Sequence, residues 1–148
     1  MINIGEFVES SLKSILSSFG IEVSKVKKIT QEYHTLSKSI NVIVGIVGKE
    51  QGIISYEVEE DVAKGIFSLM APGMEFNIED PMSISAISEV ASMVSGTILT
   101  MINNPNIDIT PPTTILGRDI NAIINTESTE KISFSLLGSE IIIGYSIS

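Results

Sequence analysis

The chain has 148 residues, 43% apolar and only 5% aromatic, with a formal net charge of −9 and no cysteine. That length suits one domain spanning 1–148 with a core large enough to need no staples. The lack of Cys excludes disulfides and thiolate metal sites and favours a cytoplasmic compartment, and nine basic residues against eighteen acidic ones exclude a nucleic-acid binder, which clusters cations against phosphate.

Ile and Val dominate the apolar residues, so a sheet is expected to supply much of the core. Ile4, Val8, Leu12, Ile15, Leu16 and Phe19 recur at helical spacing and predict a first helix over 4–19, with Asn3 as N-cap and Gly20 as its stop. Glu6 and Glu9 inside this segment argue against a signal peptide. No apolar run approaches the ~18 residues of a bilayer span, so no membrane insertion is expected. Residues 21–35 alternate weakly and predict one extended strand. Its Lys25, Lys27 and Lys28 read as a solvated face.

Residues 40–48 and 52–58 predict a hairpin across a loop with Gly48 and Gly52 at its ends. A second helix over 59–71 opens on Glu59-Glu60-Asp61, which complements its dipole, and stops at Pro72-Gly73. A third helix over 81–103 has Asp80 as N-cap and Pro81 in its first turn. The prolines at 111 and 112 forbid helix and lead into an edge strand. A second hairpin, 131–137 and 141–147, turns at Gly138-Ser139-Glu140.

The halves echo each other. Glu6–Leu16 lies over Glu89–Leu99, Ile46–Glu50 over Leu136–Glu140, and Ile53–Val58 over Ile142–Ile147. Helix, strand and hairpin follow in the same order twice. This predicts a pseudo-two-fold α+β domain, one antiparallel sheet with two long helices side by side on one face.

The third helix is two-faced. Ile84, Ile87, Ala91, Val94, Ile98, Met101 and Ile102 form an apolar stripe. Ser85, Glu89, Ser92 and Gly96 follow a 4-3-4 spacing on the opposite side, flanked by Ser88, Ser95 and Thr100. A small-residued polar face with a single carboxylate suits the close approach of another backbone. Solvated helix faces usually carry several charges.

On these residues the segment Asp80–Gly96, with Asp108–Gly117 after it, resembles the CheX branch of the CheC/CheX/FliY family of response-regulator phosphatases. The family's helix motif is Asp or Ser, three residues, Glu, two residues, Asn. Ser85 and Glu89 match it, and position 92 holds Ser. The resemblance implies a CheC/CheX-like α/β sandwich that docks on a phosphorylated CheY-type response regulator. It also implies hydrolysis of the regulator's aspartyl phosphate. Glu89 and Ser92 become the catalytic candidates, and Ser85, Ser88, Glu89, Ser92 and Gly96 the partner-binding face. The Glu would grip the regulator's lysine and the motif Asn would orient water. No cofactor of its own is implied, since the Mg²⁺ sits on the regulator. A homodimer is also implied.

Ser92 carries two fewer side-chain heavy atoms than Asn and reaches less far, which predicts a slow phosphatase. The alternative is a non-catalytic binding or adaptor module on the same fold. A further route to assembly is an apolar edge at Ile141-Ile142-Ile143 that could pair with a second copy. His34, the only histidine, reads as a polar residue near a strand end, because no nucleophile elbow accompanies it. Met70, Met74, Met82, Met93 and Met101 read as core filling.

Overall fold

The computed structural model describes residues 4–118 and 120–147. The proposed N-cap Asn3 lies outside them. Helix α1 (Ile4–Ser17) buries Val8, Leu12 and Leu16 at four-residue steps. Gly20 stops it at φ +79°, and the Ile21 N–H returns to the Leu16 carbonyl at 3.0 Å, closing the orphan carbonyls of the last turn. The segment read as one strand is broken at Glu32-Tyr33 into β1 (Ser24–Gln31) and the short β2 (His34–Leu36). Strands β3 (Ile40–Gly48) and β4 (Gly52–Val58) form the first hairpin, and α2 (Glu60–Met70) follows. The long α3 (Pro81–Ile102) leads to β5 (Ile107–Ile109), β6 (Thr113–Leu116), β7 (Ala122–Asn125), β8 (Thr129–Leu136) and β9 (Ser139–Ile147).

The main sheet is antiparallel, ordered β1-β8-β9-β4-β3-β5, with β6 also on the outer side of β3. Alternate residues of its strands, among them Val42, Val44, Ile54, Tyr56, Ile132, Phe134 and Ile143, point to one face. There they meet the buried sides of all three helices. β2 and β7 pair only with each other, as a two-stranded ribbon.

The pseudo-two-fold is present, and it swaps strands between halves. β1 of the first half lies beside β8 of the second, and β6 of the second beside β3 of the first. The relation centres on the β4–β9 ladder, where Ser55 opposes Gly144. A side chain at Gly144 would push on this centre: an added Cβ would lie 2.9 Å from the Ser55 Oγ and 3.0 Å from the His34 Nε2, so those groups would have to shift. One part of the echo shifts. Ile46 opposes Gly52, whose counterpart Ile141 opposes Phe134, so Ile46 corresponds to Phe134 and not to Leu136. The two-residue difference is absorbed in unequal turns. The second is the pair Leu137-Gly138, both at positive φ, one position ahead of the expected Gly138-Ser139-Glu140.

Two other expectations are corrected. Ile141-Ile142-Ile143 is not an edge, because β9 runs down the middle of the sheet between β8 and β4. A continuous apolar run marks a strand covered on both faces, which is the character of an interior strand. Of the five methionines read as core filling, Met74, Met82 and Met101 are exposed, and Met70 and Met93 are partly buried.

A polar cluster fastens β2 to the sheet. His34 is fully buried, with Nδ1 2.8 Å from the Ser146 Oγ and Nε2 2.6 Å from the Ser55 Oγ. Beside it the Lys131 ammonium donates to Glu57 at 2.6 Å and to the Thr35 carbonyl at 2.6 Å. The other Glu57 oxygen accepts from the Ser37 N–H and hydroxyl at 2.8 and 2.9 Å. Buried charges are tolerated when paired and hydrogen-bonded in this way. Burial, and secondarily the Lys131 charge, lower the His34 pKa to about 4, so its imidazole is neutral near neutral pH.

Candidate active site

Helix α3 starts where the sequence predicts. The Asp80 carboxylate accepts from the Met82 N–H at 3.0 Å and Pro81 occupies the first turn. Asn103 ends the helix at φ 54°, in the left-handed region that Asn tolerates. By length and composition alone this helix would also pass for a membrane span, as core helices do. Here Ile87, Val90, Ala91, Val94 and Ile98 are buried in the core shared with the sheet and the other helices.

The outer face carries the predicted constellation. Ser85 and Glu89 are exposed, and Ser92 and Gly96 half-exposed. The 4-3-4 spacing stacks the four along one side. Glu89 is the only charged side chain on the helix. Among the described residues, no hydrogen bond or ion pair engages the side chains of Ser85, Glu89 or Ser92. A Cβ added at Gly96 would meet nothing within 4 Å, so this end of the strip is open.

Two flanking serines behave differently. Ser88 is half-buried, its hydroxyl 2.6 Å from that of Thr114 on β6, so its polar group is already engaged inside the chain. Ser95, read as flanking the polar face, is buried and lies 2.6 Å from the Tyr56 hydroxyl. Burial raises the Tyr56 pKa, against the opposing effect of that hydrogen bond, so the phenol stays protonated. In the other direction Met82, read as core, is 58% exposed. Its place three residues before Ser85 extends the strip to 82-85-89-92-96. The spacing was readable from sequence, but the residue type argued for the core.

The pseudo-symmetric strip on α1 is closed. There Glu9 and Lys13 occupy the positions of Ser92 and Gly96, and they bond to each other at 2.7 Å. A salt-bridged pair of long side chains stands where α3 leaves open space. Among the described residues no group of three His, Asp or Glu is placed to hold a metal ion. The strip offers one carboxylate, two hydroxyls and room for a backbone. Such a strip can accept a partner's backbone and offer it hydrogen bonds and one negative charge.

Residues 40–135, from β3 to β8 and including all of α3, match the family model for the chemotaxis phosphatase CheX. The chain belongs to the CheX family. The CheY-P phosphatase CheX of Thermotoga maritima is 30% identical over 119 residues, 79% of this chain and 77% of that protein. The CheX fold of Desulfovibrio desulfuricans superposes with a TM-score of 0.83 at 19% identity, covering 99% of this chain and all of the other. CheX of Borrelia burgdorferi, crystallised as a CheX–CheY–BeF₃–Mg²⁺ complex, gives a TM-score of 0.76 at 23% identity, covering 99% of each chain. These likenesses establish the CheC/CheX-like fold read from the sequence.

Proposed function

We propose that the outer face of α3 docks on a phosphorylated CheY-type response regulator and promotes hydrolysis of its aspartyl phosphate. The observation that carries the reading is Glu89, the lone and unpaired charge of α3, exposed one turn from Ser92 and flanked by the small residues Ser85, Ser92 and Gly96. Membership of the CheX family, the CheY-P phosphatase among its relatives and the CheX–CheY complex from Borrelia support it.

In this reading the Glu89 carboxylate pairs with the lysine beside the regulator's phosphorylated aspartate and fixes the approach of the helix. Ser85 and Gly96 let the regulator's backbone lie close to the strip. The Ser92 hydroxyl, able to donate and accept, holds a water in line with the phosphorus. The water oxygen bonds to phosphorus as the bond to the aspartyl oxygen breaks, releasing inorganic phosphate and the free carboxylate. Such a reaction asks the catalyst for positioning and charge stabilisation. The Mg²⁺ that offsets the phosphoryl charge belongs to the regulator, and this chain supplies no cofactor. Phosphate release from a phosphorylated regulator tests the reading. Acceleration by the wild type supports it. No acceleration at any dose, with Ser92→Asn equally inert, refutes it.

A second reading, a binding module without catalysis, is favoured by the short reach of Ser92. It predicts phosphorylation-dependent binding by calorimetry with no faster hydrolysis. We further place the protein in the cytoplasm, where its regulator would be, and expect a homodimer. The apolar side chains of edge strand β1, Val26 and Ile29, are exposed, so light scattering of Ile29→Lys against wild type tests that assembly.

A further inference from the structure

The outer face of α3 has two sides. Toward β6 lie Ser85, Ser92 and Ser88, the last bonded to Thr114. The other side turns toward α1, whose Ser11 hydroxyl donates to the Met101 sulfur at 3.6 Å. Here Met82, Ala86, Glu89 and Met93 repeat the 4-3-4 spacing and form a second ridge, which shares Glu89 with the serine strip. Met82 is 58% exposed in the first turn of the helix, and Ala86 and Met93 are half-buried. Farther along, Thr97 and Thr100 turn their hydroxyls back onto the helix, donating to the carbonyls of Met93 at 2.9 Å and Gly96 at 3.0 Å. With those hydroxyls engaged, this ridge presents thioether and methyl groups and one carboxylate.

Single exposed apolar side chains are common and need no explanation. Two methionines on one line with the only charge of the helix are a different matter. Met82 stands about 10 Å before Glu89 along the axis and Met93 about 6 Å after it. A helix face turned to water carries polar and charged residues at such positions. Methionine is flexible and polarisable, and it is enriched where proteins meet. Apolar groups closing around a carboxylate also exclude water from any ion pair it makes, which strengthens the pair. From this arrangement we infer that Met82 and Met93 determine affinity and specificity on the α3 face, by packing against apolar groups of the regulator on either side of the lysine that Glu89 engages. The inference rests on the docking reading above and divides the face by task. Glu89 and the methionines hold the regulator, and Ser92 meets the phosphoryl group.

A regulator activated with BeF₃ and Mg²⁺ has no phosphate to lose, so calorimetry with it reads docking alone. Met82→Gln keeps the length of the side chain and makes its end polar. It is expected to weaken binding about tenfold or more and Met93→Gln about threefold or more, with Met82→Leu within about twofold of the wild type. With the phosphorylated regulator, Met82→Gln should raise the half-saturating concentration by the same factor and leave the maximal hydrolysis rate within about twofold, a split that a general loss of structure would not give. Val47, 43% exposed on the sheet face away from the helices, supplies the control: Val47→Gln should bind as the wild type does. If Met82→Gln binds like the wild type while Glu89→Lys does not bind, the inference is overturned and the docking reading stands. If the wild type itself does not bind the activated regulator, the docking reading fails and takes the inference with it. Equal losses for Met82→Gln and Met82→Leu, a loss for Val47→Gln, or a lower maximal rate at unchanged affinity also overturn the inference.

Discussion

The His34 Nε2 lies 2.6 Å from the Ser55 Oγ, at the centre of the pseudo-two-fold and out of reach of solvent. Burial, aided by Lys131, lowers the imidazole pKa from 6.5 to about 4. The unfolded chain therefore takes up a proton on His34 at a higher pH than the folded protein does. Stability from this group is whole above about pH 6.5 and is lost as pH falls toward 4, by on the order of 3 kcal/mol. Urea midpoints measured across that window should fall in the wild type. In His34→Gln, which keeps a donor and an acceptor but cannot titrate there, this part of the fall should vanish. Equal slopes for the two proteins would contradict the assignment.

The neighbouring ion pair gives a second stability prediction. Lys131 and Glu57 meet at 2.6 Å with side chains almost wholly buried. Lys131→Met leaves the Glu57 carboxylate buried without its cation and should cost about 3–5 kcal/mol. Adding Glu57→Gln removes the stranded charge and should recover a large part of that loss. Chemical denaturation of the two single variants and the double variant decides it. Additive losses would mean that the pair is not coupled.

Helix α3, its caps and the two hairpins were legible in the sequence because each is specified locally, by period, by cap residues and by glycines at turns. The errors share one cause, which is that sequence pattern does not say what lies across from a residue. Ser95 looked like surface, yet the Tyr56 hydroxyl satisfies it inside the core. Ile141-Ile142-Ile143 looked like a free edge, yet partners from both halves flank it. The His34 cluster joins residues 21 and 112 positions apart, and no local signal announces that. At the candidate site Ser85, Glu89, Ser92 and Gly96 were legible from spacing. The exposure of Met82 and the engagement of Ser88 by Thr114 were not, because both depend on where β6 and the segment before α3 come to lie.

The asymmetry between the two long helices makes a sharp test of the proposed docking face. Glu89→Lys reverses the only charge on the α3 strip, and should lower the rate of phosphoryl hydrolysis at least a hundredfold and weaken binding of the phosphorylated regulator. Glu9→Gln on α1 removes a carboxylate already spent on Lys13, an exposed pair worth well under about 1 kcal/mol. It should leave the rate within twofold. Single-turnover measurements at saturating and limiting regulator separate binding from catalysis. If both variants lose activity alike, or neither does, the assignment of function to α3 alone is wrong.

Position 92 carries the last prediction. The Ser92 hydroxyl stops one bond short of where an asparagine amide would reach, so in the proposed reading a water held by it would stand farther from the phosphorus. Misplacement of about 1 Å can lower a rate on the order of a hundredfold. Ser92 is half-exposed and bonds to nothing among the described residues, so replacing it should not disturb the fold. Ser92→Asn should therefore raise the maximal hydrolysis rate by ten- to a hundredfold and leave the half-saturating regulator concentration nearly unchanged, because the proposed docking is set by Glu89. Ser92→Ala should lower the maximal rate with equally little effect on binding. A gain in binding without a gain in rate for Ser92→Asn would assign position 92 to recognition and remove it from the chemistry.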